Sequence, residues 1–506
     1  MPIKGKTGTP ARLASGIRGR ICKNDNGEDF IPNDAIDELA SLENVQHHLE
    51  AKPQHLKGAS VDTFMNFVAD QKKPAKKVFL ILVYCDLLEY LSSMCEVGFC
   101  DQYLPIEPKW NEPQDRYDVR TKHWQKPEPF NKWSTGNIEI FEAKQWVFMA
   151  PVFNAHQFEY TVSPKCPLPI IGRPGHSKGG YSGSVREVEI HKAHLQVFVT
   201  SRTGTCKRIA LKEIHDDKQD YYKKELESLS MIRPLRHSHL IQPLAAYTRV
   251  RLQGFLFPWA EGGNLEEFWR RDTKLAAADR GLMRWVLHQL CGLCGATKKL
   301  HTKNCRHTDL KPANILLFRE NGYPKTPGTL RIADVGLAKI HDDETRQRKA
   351  ITQAKTGSVR YEPPELGRED QLSRVYDVWC LGCVFLEFLI WGVYGWKFFS
   401  DFSNNTRQLQ FWEQTADGEI QQHQHVKTII AKMFRDLKSG NTKRQSALED
   451  CLELVDKRML VPNWREREVV ARLHTDLERI RKKGNEKEGY LLNRRLTSNE
   501  SKYLAK

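Results

Sequence analysis

The sequence predicts an α+β protein in two lobes, a strand-rich one and then a helix-rich one, with a small helical module ahead of both. Three observations predict it. Strand-like runs occupy the stretch from Trp146 to Ile214, helical periodicity takes over after Gly262, and a shorter set of helical stripes falls between Asn33 and Leu91. The 506 residues are 40% apolar and 28% charged, which supplies a large core and excludes both a small disulfide scaffold and general disorder. The 78 Lys and Arg against 63 Asp and Glu leave +15, a balance that suits phosphate-bearing partners or an anionic membrane surface without naming either. Twelve scattered cysteines and no basic-then-apolar leader point to free thiols in a reducing compartment, cytoplasmic or nuclear.

Residues 1–30, rich in Gly, Lys and Arg without apolar periodicity, read as a disordered basic arm. Residues 31–103 read as the helical module: Ile36, Leu39, Leu42, Val45 and Leu49 fall at helical spacing, Ser60 opens a second stripe and Val78 to Leu91 carries a third. Five prolines between 104 and 130, among charged residues, mark 104–145 as a linker. The strand-rich lobe spans 168–262, and in Arg208 to Ile214 the alternation puts Ile209 and Leu211 on one face and Ala210 and Lys212 on the other. The helix-rich lobe spans 263–460. Leu282, Val286, Leu290, Leu293 and Leu300 form one of its stripes, ending before a polar loop from His301 to Asn314. The stretch Val378 to Trp396 is apolar enough to span a membrane, but Glu387 at its middle would cost about 2.5–3.5 kcal/mol there, so a buried core helix and no transmembrane span is the reading. Residues 461–506 form a basic C-terminal helix and tail. Trp464, Val470, Leu473, Leu477 and Ile480 make its apolar face, suited to packing on the helical lobe, while its basic face leaves contact with nucleic acid or an anionic membrane as the sharper alternative.

Chemistry concentrates in His307-Thr308-Asp309-Leu310-Lys311-Pro312-Ala313-Asn314, with Asp334-Val335-Gly336 twenty residues beyond Asn314. Moving a phosphoryl group needs Mg²⁺ held by carboxylate and amide oxygens, a carboxylate for the acceptor hydroxyl, and a cation for developing charge. Asp334 and Asn314 fit the metal. Asp309 fits the hydroxyl and Lys311 the charge, because alternate residues of an extended loop point the same way.

These segments resemble the eukaryotic protein kinase family, whose catalytic loop reads His-Arg-Asp-x-Lys-x-x-Asn and whose metal motif reads Asp-Phe-Gly; the likeness covers about 290 residues. It implies a two-lobed protein-kinase-like fold, ATP and Mg²⁺ as cofactors, and transfer of the γ-phosphate to Ser or Thr hydroxyls of a protein substrate. An inactive pseudokinase scaffold is the rival. Ile209-Ala210-Leu211-Lys212 is similar to the strand that offers a Lys to the nucleotide phosphates, with Ala210 against the adenine. Glu225 stands where the family places the carboxylate that pairs with that Lys, with Glu227 as competitor. The loop from Lys178 resembles the Gly-rich lid, with Lys178 in place of its first Gly, Gly180 and Gly183 as the second and third, and Val185 over the base. Phe257, Pro258 and Ala260 resemble the hinge that meets the adenine edge. Gly357 to Glu365 resembles the end of the activation segment: Ser358 implies Ser/Thr specificity, and Glu365 should pair with an Arg for which Arg444 is the candidate. Asp377 matches the residue that holds the catalytic loop's backbone. Thr308 departs from the family's Arg, which puts switching by phosphorylation of Thr345, Thr352 or Thr356 in doubt, and Val335 stands for Phe.

The pairs Cys291/Cys294 and Cys380/Cys383 have zinc-like spacing but lie in apolar helices, so they read as core thiols; His237, His239, His423 and His425 read as surface residues. The helical module and the hairpin after it are similar to kinase-like proteins of filamentous fungi, and a docking or autoinhibitory role is the expectation. Oligomeric state has no signature.

Overall fold

Ile209 and Leu211 are fully buried and Ala210 and Lys212 half-buried, the alternation of a strand with one face in a core. The computed structural model describes residues 11–56, 58–121, 129–172, 177–179, 183–196, 206–215, 218–272, 276, 279–319, 327–335, 359–366, 373–406, 409–438 and 445–491. Its chain divides into two units: residues Met1–Asp216 with Leu244–Leu256, and Asp217–Pro243 with Phe257–Lys506.

The first unit is built on a sheet in which, among the described residues, seven strands join. The strand Cys206–Ile214 pairs antiparallel with Gly183–His191, setting Lys212 opposite Val185 and Ala210 opposite Glu187. Ala245–Arg249 pairs antiparallel with Leu252–Pro258 and, on its other side, parallel with Glu159–Thr161. That outer strand comes from the chain ahead of the strand-rich lobe and covers an edge that would otherwise present unpaired backbone groups.

The segment read as a disordered arm is ordered from Ala11, which starts a helix ending at Gly19 with Leu13 and Ile17 in the core. A pair of short strands, Cys22–Lys23 and Asp29–Phe30, follows. The turn between them is tied to the sheet: the Asp25 amide donates to the Ile170 carbonyl at 2.9 Å, Arg186 reaches Asp25 Oδ2 at 3.1 Å, and Arg249 donates to Glu28. Basic composition concealed this because the partners lie far along the chain. The 104–145 linker is also corrected. It holds a hairpin, Ile106–Asn111 with Arg116–Thr121, and a helix, Thr135–Gln145. Buried Gln145 reads the hairpin's edge, accepting from the Ile106 amide at 2.7 Å and donating to its carbonyl at 2.8 Å. The expected stripe from Ile36 to Leu49 is two helices, Asn33–Leu39 and Leu42–Glu50, because Ser41 caps the second by accepting from the Asn44 amide. The run from Trp146 to Phe153 is a 3₁₀ turn and then a two-residue strand.

In the second unit the stripe through Leu282 and Leu300 forms the helix Arg280–His301, capped by Asp279. The apolar stretch belongs to Val375–Asn405, interrupted at Gly395, where φ is 79°. This one helix among the described residues is long and apolar enough to cross a membrane, and its apolar window is entirely buried within the protein. Glu387 is accommodated by Arg360, whose Nε lies 3.0 Å from Oε1, and by the Tyr361 hydroxyl, 2.9 Å from Oε2. Burial pushes the Glu387 carboxyl above its usual range despite Arg360. The C-terminal helix Val470–Glu486 buries Val470, Leu473, Leu477 and Ile480 and packs on Arg280–His301; Trp464 precedes it.

Candidate active site

The catalytic-loop segment joins the C-terminus of helix Arg280–His301 to the strand Ile315–Phe318, which pairs with Thr329–Ile332 and so brings Asn314 beside Ala333. The Ala333 amide donates to the Asn314 carbonyl at 2.8 Å. Asp377, at the start of the buried helix and fully buried, organises the loop. Its Oδ2 accepts from His301 Nε2 at 2.8 Å and from the His307 amide at 2.9 Å, and its Oδ1 accepts from the Thr308 amide at 2.9 Å. Burial alone would raise this carboxyl; the hydrogen bonds from His301 and His307 outweigh it and hold it below the usual carboxylate range. Those bonds also hold Thr308 at φ 62°, a left-handed conformation that is costly for a β-branched residue.

On this backbone the side chains converge. Lys311 Nζ lies 3.0 and 2.8 Å from the two oxygens of Asp309. Asn314 Nδ2 donates to the Asp309 carbonyl at 2.8 Å and to Asp309 Oδ2 at 2.9 Å, so its amide nitrogen is engaged and its oxygen is the end suited to a cation. His307 is buried, with Nε2 2.8 Å from the Ala333 carbonyl, which ties the loop to the residue before Asp334. Asp334 is exposed at φ 59°, while Val335 beside it is 1% exposed and serves packing. Strain of about 1–3 kcal/mol at a non-Gly residue persists where surrounding structure imposes it, and such positions gather at functional sites.

Phe257, Pro258 and Ala260 are half-buried where the strand Leu252–Pro258 ends. Phe257 and Ala260 pack with Leu316 against Ile241, Phe318 and Ala333. Leu316 belongs to no motif; its alternation with buried Ile315 and Leu317 is the signal that marks it. On helix Gln219–Ile232 the two competitors separate, since Glu225 is 1% exposed and Glu227 is exposed. A buried carboxylate requires a cation or donors, which an exposed one does not.

In the first unit, Ser177–Gly179 pairs with Gly183–His191 in a hairpin that sets Lys178 opposite Val185, and Val185 is exposed. Gly183 has a structural reason of its own: a Cβ there would stand 2.0 Å from the Glu213 carbonyl. Ala210 and Lys212 sit mid-strand on the half-buried face. Gly180, Ser358, Arg444 and the three threonines of the activation segment lie outside the described residues.

Glu365 needs a cation, and Arg444, the candidate for it, lies outside the described residues. Arg467 fills that role, with its two guanidinium nitrogens 2.7 and 3.0 Å from the Glu365 oxygens and a further bond to the Val375 carbonyl at 2.9 Å. The guanidinium lies 5.0 Å from the Trp379 ring centre. The expectation rested on position relative to Ala447 and Leu448; the pairing uses the loop ahead of the C-terminal helix. His239 is likewise corrected from surface to buried, at 2% exposed, and His237, His423 and His425 are half-buried.

The protein kinase domain profile matches residues 194–470, more than half of the chain, and the chain therefore belongs to the protein kinase family. It is 27% identical over 227 residues to the serine/threonine-protein kinase PKH3 of Eremothecium gossypii, a match covering 44% of this chain and 28% of that protein. It is also 27% identical to human cyclin-dependent kinase-like 4 over 38% of this chain and 47% of that one, and 26% identical to human mitogen-activated protein kinase 4 over 36% and 31%. The chain thus spans less than half the length of each of these relatives.

Proposed function

We propose that the protein is an active serine/threonine kinase that transfers the γ-phosphate of ATP to protein hydroxyls. The observation that carries this reading is the clasp of Asp309 by Lys311 and Asn314 on a backbone held by Asp377. Asp309 orients the acceptor hydroxyl and takes its proton, and Lys311, at the edge of the same carboxylate, offsets charge on the phosphoryl group in transit. Asp334 and the Asn314 amide oxygen are hard oxygen donors that would hold Mg²⁺, which when bound offsets the charge of the phosphate oxygens. By the family resemblance Lys212 is the residue suited to the α and β phosphates, and Phe257, Pro258, Ala260 and Leu316 are those suited to the adenine. Lys two places after Asp309 favours Ser and Thr over Tyr acceptors.

The pseudokinase reading is favoured by the Thr308 and Val335 departures. Thr308 contributes its amide, which any residue but proline supplies, and Val335 is buried packing, so neither removes a reacting group. Protein incubated with Mg·ATP and mapped by mass spectrometry should carry new phosphoserine or phosphothreonine, on itself or on an added peptide library, and Asp334→Ala should not. Equal labelling of both proteins at background level would favour the scaffold. The described cysteines are free thiols, in keeping with a cytoplasmic or nuclear setting, which we also propose.

A further inference from the structure

Gly292 and Gly295 lie one turn apart inside the helix Arg280–His301, where helix propensity favours alanine over glycine at each. Imidazoles laid against the helix account for both. A Cβ at Gly292 would stand 2.1 Å from His239 Nε2, and one at Gly295 would stand 2.9 Å from His474 Nε2 and 3.2 Å from His237 Nε2. The same turn presents Cys291, and the facing helix Val470–Glu486 presents His474 and Glu478 four residues apart, hence on one side. Together with His288 they line a cavity of about 200 Å³.

The donor geometry inside it is specific. Ligand atoms of Cys291, His474 and Glu478 all lie within 4.8 Å of one another, and Cys291 Sγ is 3.0 Å from Glu478 Oε1. A tetrahedral zinc ion, with bonds of about 2.0–2.3 Å, holds its ligand atoms roughly 3.3–3.8 Å apart, so small rotations of three side chains would complete such a set. Arg481 Nη2 donates to Glu478 Oε2 at 3.1 Å, which fixes the carboxylate with Oε1 on the cysteine side. Buried His239 has Nδ1 2.8 Å from the Leu330 carbonyl; Nδ1 must therefore carry the proton, leaving the lone pair on Nε2, which lies over Gly292. A ring nitrogen fixed by a backbone carbonyl on its far side is the usual support of a metal-binding imidazole. His237 is in the opposite state, because its Nδ1 accepts from the His239 amide at 3.1 Å.

We propose that this cluster binds a divalent transition metal of the zinc class, with Cys291 Sγ, the His474 imidazole and the Glu478 carboxylate as ligands. His239 Nε2 supplies the fourth position, directly or through a water. Thiolate and imidazole donors select zinc over magnesium, so the site is separate in chemistry from the nucleotide's metal. It is a clamp: Cys291 and His474 come from different helices, and a shared ion ties the C-terminal helix to the centre of its lobe.

The test uses full-length protein passed through metal-free buffer and then titrated with Zn²⁺ or Co²⁺. Elemental analysis should find one zinc per chain retained through gel filtration. The cobalt form should show a thiolate-to-cobalt charge-transfer band that Cys291→Ser abolishes, and His474→Gln should weaken zinc retention by about tenfold or more. Zinc should raise the melting temperature of the wild type and of neither variant. Two variants on different helices keep the test alive if one fails to fold. Zinc lost from the wild type on gel filtration, or a cobalt band that survives Cys291→Ser, would overturn the proposal.

Discussion

Asp377 shows how one buried carboxylate shapes a loop that it never shares a strand or helix with. Three donors converge on it, and its folded carboxyl titrates below the ordinary value of about 3.9. A carboxyl with a depressed folded pKa stabilises the fold fully above the unfolded value and loses that contribution as pH falls through the folded one. The stability difference between wild type and Asp377→Asn should therefore stay constant from pH 7 to about pH 5 and close below about pH 4, as read by urea denaturation across that range. Asp309 behaves differently, being 37% exposed in its side chain. Its pairing with Lys311 is screened by solvent, so Asp309→Asn should leave stability within about 1 kcal/mol while lowering kcat by about 10²–10⁴-fold. At this scale the sequence is informative, because Asp309, Lys311, Asn314 and Asp377 lie in contiguous motifs. Leu316 and His301 escaped notice because one looks like any strand residue and the other like the end of a helical stripe.

Elements are anchored to one another by buried charge pairs, and here sequence reasoning meets its limit. That Glu365 needs an Arg follows from its motif; that the Arg is Arg467 depends on how the loop before Val470–Glu486 returns to the start of Val375–Asn405. Removing one partner of a buried, bidentate pair leaves an uncompensated charge, so Arg467→Met should cost about 3–5 kcal/mol in thermal or urea unfolding. Arg467→Met combined with Glu365→Gln should recover part of that loss, whereas two additive losses would show that the pair itself is not the anchor. Glu387 repeats the lesson in reverse. It argues against a membrane span from composition alone, but its partner Arg360 comes from the 3₁₀ turn Val359–Tyr361, within the motif that resembles the end of the activation segment, and has no periodic signature.

For the molecule as a whole, the α+β class and the order of strand-rich and helix-rich parts were legible in hydrophobic periodicity. The integration of the N-terminal region was not. Asp25, Glu28 and the strand Glu159–Thr161 meet residues of the sheet that are remote in sequence, and contacts of that kind leave no local pattern. What reads as a detachable module is part of the first unit, so a chain starting at residue 168 should lose the edge strand and the partners of Arg186 and Arg249. Such a chain should aggregate or lack a cooperative melting transition by circular dichroism, and a soluble, cooperatively folding one would show that the lobe stands alone. The activity proposed for the molecule is phosphoryl transfer by Asp309, Lys311, Asn314 and Asp334. Its most direct measurement is the rate of γ-phosphate transfer from Mg·ATP to a Ser/Thr peptide pool by wild type and by Asp309→Asn at equal folded concentration. A wild-type rate at least about a hundredfold above the variant is the predicted result; indistinguishable rates would contradict the account.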